Sequence, residues 1–74
     1  MTRAGPGSRA LGAAIRNRRE RMKWTQGALA ARLGVDQSWV SRVEGGERAV
    51  PIDKLADIAE AFGISVRTLV EGLG

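Results

Sequence analysis

An all-α fold, a compact five-helix bundle, is what this sequence predicts, and three observations predict it. Apolar residues recur at three- and four-residue spacings, and no stretch alternates as a strand does. Capping residues (Ser8, Thr25, Asp36, Ser65) and glycines placed to stop helices (Gly34, Gly45, Gly46, Gly63) punctuate the chain at short intervals. The chain has 74 residues with neither cysteine nor histidine, which removes disulfides and Cys/His zinc sites as staples. A core of this size supplies only ~3–5 kcal/mol. Well-packed helices and self-association are the remaining sources of stability.

The elements follow in order. Residues 1–8 contain two glycines and a proline without periodicity, and are expected to form a flexible N-terminal arm ahead of one domain over 9–74. Ser8 caps a first helix over 9–22, where Leu11, Ile15 and Met22 share a stripe. Thr25 opens a second helix, its hydroxyl able to cap the free amides there. Leu29, Ala30 and Leu33 form its inner face, and Gly34 ends it by accepting positive φ. Gly27 within that helix costs ~1 kcal/mol relative to alanine. Asp36 caps a third helix over 37–44, with a charge suited to the positive end of the dipole. Pro51 and Asp53 fit the first turn of a fourth helix carrying Leu55, Ile58, Ala59 and Phe62. Ser65 caps a short fifth helix with Val66, Leu69, Val70 and Leu73.

Charge is distributed unevenly. Overall the net charge is +4. Residues 1–23 hold seven bases (Arg3, Arg9, Arg16, Arg18, Arg19, Arg21, Lys23) against Glu20 alone, whereas residues 49–74 are mildly acidic. A basic front suits a polyanion approached from one side. No apolar run approaches the ~18–20 residues needed to span a bilayer. The opening "MTRAGPGSRA" lacks the apolar middle of a secretory signal. A cytoplasmic protein without a membrane partner is expected.

The second helix, a short turn with glycine, and the third helix make a helix-turn-helix. Ala30 is small where two helices cross, Gly34 sits in the turn, and Val40 is a β-branched wedge beneath the third helix. At about 100° per residue, Gln37, Ser41, Gly45, Ser38 and Arg42 form one continuous polar face, while Val43 and Val40 point the other way. Such a helix fits the major groove, where glutamine pairs with adenine and arginine with guanine. Trp39 falls between the two faces, placed either to touch the DNA edge or to cover the flank of the core.

With "TQGALAARLGV", "QSWVSRVEGGER" and "LADIAEAFGIS" the chain resembles the phage-repressor-like helix-turn-helix family, also called the xenobiotic response element family, from about Leu11 to Leu73. The resemblance implies a lambda-repressor-like five-helix domain, usually dimeric, that binds double-stranded DNA and regulates transcription. It matches Gln37, Ser38, Ser41 and Arg42 to base-reading positions. Gln26, at the start of the second helix, matches a glutamine that binds phosphate and can brace Gln37. Arg48 in the following loop, Thr25, and Trp39 at the flank complete the expected backbone contacts. Arg19 matches an arginine that pairs with a glutamate ending the third helix, here Glu44, and that could also approach a phosphate. Glu44 is therefore expected to be structural. The sequence departs from the family at Gly45, where a basic or polar residue is common, which leaves one phosphate contact without its side chain.

Catalysis is not expected. Ser38, Ser41 and Thr25 have no histidine base, and Lys23 and Lys54 sit in no nucleophile motif. No metal or cofactor is implied. A homodimer is expected, through Val66, Val70 or Leu73 and the loops flanking the fourth helix, because a twofold protein reads two half-sites ~34 Å apart. RNA polymerase or another regulator is a possible further partner. The rival reading is an antitoxin-type or other protein-interaction module, although few residues follow the fifth helix to hold a toxin.

Overall fold

A computed structural model describes the backbone of residues 6–71 and the side chains of residues 8–71. Five helices follow one another: α1 (Pro6–Arg21), α2 (Gln26–Leu33), α3 (Gln37–Glu44), α4 (Ile52–Phe62) and α5 (Val66–Val70). α3 packs on α2 and α1, α4 packs on α2, and α5 closes against α1 and α4. Among the described residues no helix is long and apolar enough to cross a membrane.

The caps work as their chemistry requires. Thr25 accepts the Ala28 N–H at 3.0 Å, Asp36 that of Trp39 at 2.8 Å, and Ser65 that of Thr68 at 3.0 Å. Each satisfies an amide that the first helical turn leaves without a partner. Gly34 closes α2 in the left-handed conformation, with φ at 68°.

Two expectations about the first helix need correction. α1 begins at Pro6, not after a Ser8 cap, so residues 6–8 belong to the helix and not to an arm. Residues 1–5 lie outside the described part. Met22 is not core: α1 ends at Arg21, Lys23 takes a positive φ of 60°, and Met22 is left 39% exposed.

The core joins every helix: Ile15 from α1, Leu29, Ala30 and Leu33 from α2, Val40 and Val43 from α3, Ile58, Ala59 and Phe62 from α4, and Leu69 from α5. Trp24, between α1 and α2, stacks on Phe62 with ring centres 5.7 Å apart, and Arg32 lies 4.1 Å from its ring centre. α1 and α3 cross at Gly12. A Cβ there would overlap the Val43 carbonyl oxygen and sit 2.8 Å from that of Glu44. A second close approach is at Gly46, with φ at 75°, where a Cβ would lie 2.9 Å from Arg9 Cα. The end of α3 is thus pressed directly onto the α1 backbone.

Candidate nucleic-acid interface

The polar side of α3 is built by its two valines. Val40 and Val43 are each 1% exposed, so the helix can be seated in one rotation only. That rotation leaves Gln37, Ser38, Ser41 and Arg42 exposed together. Among the described residues, the side chains of Gln37, Ser41 and Arg42 make no hydrogen bond within the protein. Their amide, hydroxyl and guanidinium groups face outward from an eight-residue helix of about 12 Å.

Ser38 differs from its neighbours. Its hydroxyl donates to Asp36 Oδ1 at 2.9 Å, the oxygen that also caps Trp39. The Trp39 N–H, and next the Ser38 hydroxyl, hold the Asp36 carboxyl below the ordinary carboxylate range, with a smaller pull from Arg42 and Arg48. The carboxylate is therefore ionised throughout the neutral range.

The support beneath the face is a buried ion pair. Arg19 donates from Nε to Glu44 Oε2 at 2.7 Å and from Nη2 to Glu44 Oε1 at 3.0 Å. Its Nη1 donates to the Trp24 carbonyl at 2.7 Å. The bonds to Glu44 raise the Arg19 pKa further above the usual guanidinium value, against the opposing effect of burial. Arg19 is only 9% exposed, with its guanidinium bonded on three sides inside the protein. The Glu44 side chain, 3% exposed, is enclosed in this pair.

Gln26 also turns to Glu44, donating from Nε2 to Oε1 at 3.1 Å, and not to Gln37. An ionised carboxylate is a stronger acceptor than an amide, which accounts for the choice. Thr25 uses its hydroxyl as a cap and remains at the surface. Trp39 is half-buried against the core, and the Arg48 guanidinium lies 5.9 Å from its ring centre. Of the two placements left open by the sequence, the structure shows the ring covering the flank of the core, with Arg48 beside it.

On the other flank, Val66 is 37% exposed and Val70 is half-buried, whereas Leu73 lies outside the described residues. Ile52, in the first turn of α4, is 85% exposed and was not singled out by sequence pattern. By spacing it continues the α4 stripe, three residues before Leu55 and seven before Ala59, so the pattern gives no sign of its exposure.

Residues 10–73 match a family model described as a helix-turn-helix domain. No curated protein matches the sequence. Among solved structures, the chain is similar to the clp gene regulator ClgR from Corynebacterium glutamicum, with 33% identity over 86% of this chain and 68% of that one, at a TM-score of 0.83. It is also similar to the restriction-modification controller protein C.AhdI from Aeromonas hydrophila, with 32% identity over 84% of this chain and 90% of that one, at a TM-score of 0.80. The enzyme-like match is partial: FeII HppE in complex with substrate is 32% identical over 84% of this chain, but the chain covers only 36% of it, at a TM-score of 0.77. Motif, helix order and these likenesses agree, and the chain belongs to the helix-turn-helix domain family in its phage-repressor-like form.

Proposed function

We propose that this protein is a sequence-specific double-stranded DNA-binding regulator of transcription, not an enzyme, that lays α3 in the major groove and binds a palindromic operator as a homodimer. One observation carries the reading: Gln37, Ser38, Ser41 and Arg42 stand exposed together over the buried Val40 and Val43. The first four supply the donors and acceptors that base edges require. The likeness to ClgR and C.AhdI, a gene regulator and a controller protein, supports the same reading. Thr25, Gln26, Trp39 and Arg48 surround the face as phosphate or flank contacts, which position the helix without carrying sequence information. Gln26 keeps one amide N–H beyond its bond to Glu44 and is available to a phosphate oxygen.

The second copy is proposed to cover Ile52, Val66 and Val70. A small domain gains stability by burying such residues, and twofold symmetry brings two reading helices to successive turns of the duplex. Selection of bound duplexes from a random pool tests the whole reading. A palindromic consensus is the expected result. Recovery of random sequence, with a protein partner retained instead, would overturn it in favour of an interaction module.

A further inference from the structure

Within the reading face, Ser38 is the residue whose chemistry the protein has already constrained. A serine hydroxyl has one proton to donate and two lone pairs to accept with. Here the proton is directed to Asp36 Oδ1 at 2.9 Å. That acceptor is an ionised carboxylate, so the bond is charge-assisted and roughly twice as strong as a neutral one. Redirecting the proton to a base would exchange the stronger bond for a weaker one. What Ser38 keeps for the groove is its lone pairs. Ser41 differs, because among the described residues its hydroxyl has no partner in the protein.

In the major groove the exocyclic amino groups of adenine and cytosine are the hydrogen-bond donors, whereas guanine O6 and thymine O4 accept. An acceptor-only group therefore separates adenine or cytosine from guanine or thymine on the strand it faces. We infer that Ser38 is a specificity-determining acceptor for an amino-bearing base, and that Asp36 is the positioning residue that sets this polarity. This rests on the proposed base-reading role of α3 and deepens it.

The test is duplex selection with the full chain as wild type, Ser38→Ala, Asp36→Asn and Asp36→Gly, each checked for helix content by circular dichroism. Glycine is tolerated at an N-cap, and asparagine keeps a neutral capping acceptor in case the glycine variant does not fold. The expected wild-type consensus has adenine or cytosine at the position that Ser38→Ala relaxes. Asp36→Gly frees the hydroxyl and should let guanine or thymine in at that position, with Asp36→Asn doing so in part. A wild-type duplex whose base at that position lacks its amino group (purine for adenine, 2-pyrimidinone for cytosine) should bind roughly fivefold to tenfold more weakly, the worth of one hydrogen bond. The same change should not affect Ser38→Ala. A wild-type preference for guanine or thymine there, or no position relaxed by Ser38→Ala, would overturn this inference while leaving base reading intact. So would an amino preference that survives in both Asp36 variants. No enrichment by the wild type at all would overturn both.

Discussion

Arg19 and Glu44 face each other as a two-bond pair, 2.7 and 3.0 Å long, linking the last turn of α1 to the last residue of α3. The Glu44 side chain is 3% exposed, so in the intact protein its charge is balanced by the arginine and not by water. Arg19→Ala should therefore lose about 3–5 kcal/mol of stability, most of what a domain this small has. Urea unfolding followed by circular dichroism measures it. Replacing both partners together, as Arg19→Met with Glu44→Leu, should recover much of the loss, because no uncompensated charge remains buried.

Two glycines in helices should respond oppositely to alanine. Gly12→Ala places a methyl group against the α3 carbonyls, where only backbone movement could relieve it, and should destabilise by about 3 kcal/mol or more. Gly27→Ala meets nothing closer than 3.8 Å and should stabilise by about 0.5–1 kcal/mol through lower backbone entropy in the unfolded chain. Thermal melts of the two variants side by side provide the comparison. A destabilised Gly27→Ala would contradict the packing described around α2.

Arg42 and Arg48 should separate by the kind of loss they cause. Arg42→Ala is expected to weaken the selected operator by ~1–3 kcal/mol and relax preference at one base pair. Arg48→Ala should weaken specific and random duplexes alike and flatten the dependence of affinity on salt. Fluorescence anisotropy against both duplexes, across a salt series, reads the difference. An Arg42 loss of equal size on random DNA would make it a phosphate contact.

Ile52→Lys should shift the protein from dimer to monomer in sedimentation and weaken binding to a two-half-site operator more than to one half-site. A charge placed on an apolar contact has to be desolvated before a second copy can cover it. An unchanged sedimentation coefficient would remove Ile52 from the interface.

Acid should weaken the fold through Asp36. Its carboxyl titrates lower in the folded chain than in the unfolded one, because the Trp39 N–H and Ser38 hydroxyl favour the charged form. The stabilisation is complete above the ordinary carboxylate range and disappears as pH falls through the lower, folded value. Asp36→Asn should make the unfolding midpoint less sensitive to pH across that window. An equally steep acid transition in the variant would assign the sensitivity to other carboxylates.

What was legible in the sequence was local. Thr25, Asp36 and Ser65 cap by reaching an amide three residues ahead, and Gly34 ends α2 by its own backbone freedom, so neighbours in the chain determine the result. The outward set Gln37, Ser38, Ser41 and Arg42 was legible for the same reason, since one helical period and two valines orient it. Gly12 was not, because what requires glycine there is the backbone of α3, far along the chain. Met22 failed on a boundary: its spacing continued the α1 stripe, but the chain turns at Lys23 before the stripe can use it. The bond from Gln26 to Glu44 was not legible either, because it depends on a competition between acceptors that spacing cannot rank. Trp24 belongs to no helical period, and only the folded chain brings Phe62 and Arg32 against its ring.

The unbonded side chains of Gln37, Ser41 and Arg42 have one more consequence. Because the scaffold takes no hydrogen bond from these three groups, they can be exchanged almost freely, as type is changed in a press whose frame stays bolted. Ser38 is the exception, being tied to the cap that starts the helix. Libraries that randomise the other three should therefore yield many folded proteins with new targets, whereas libraries that include position 36 or 38 should lose stability along with the old specificity.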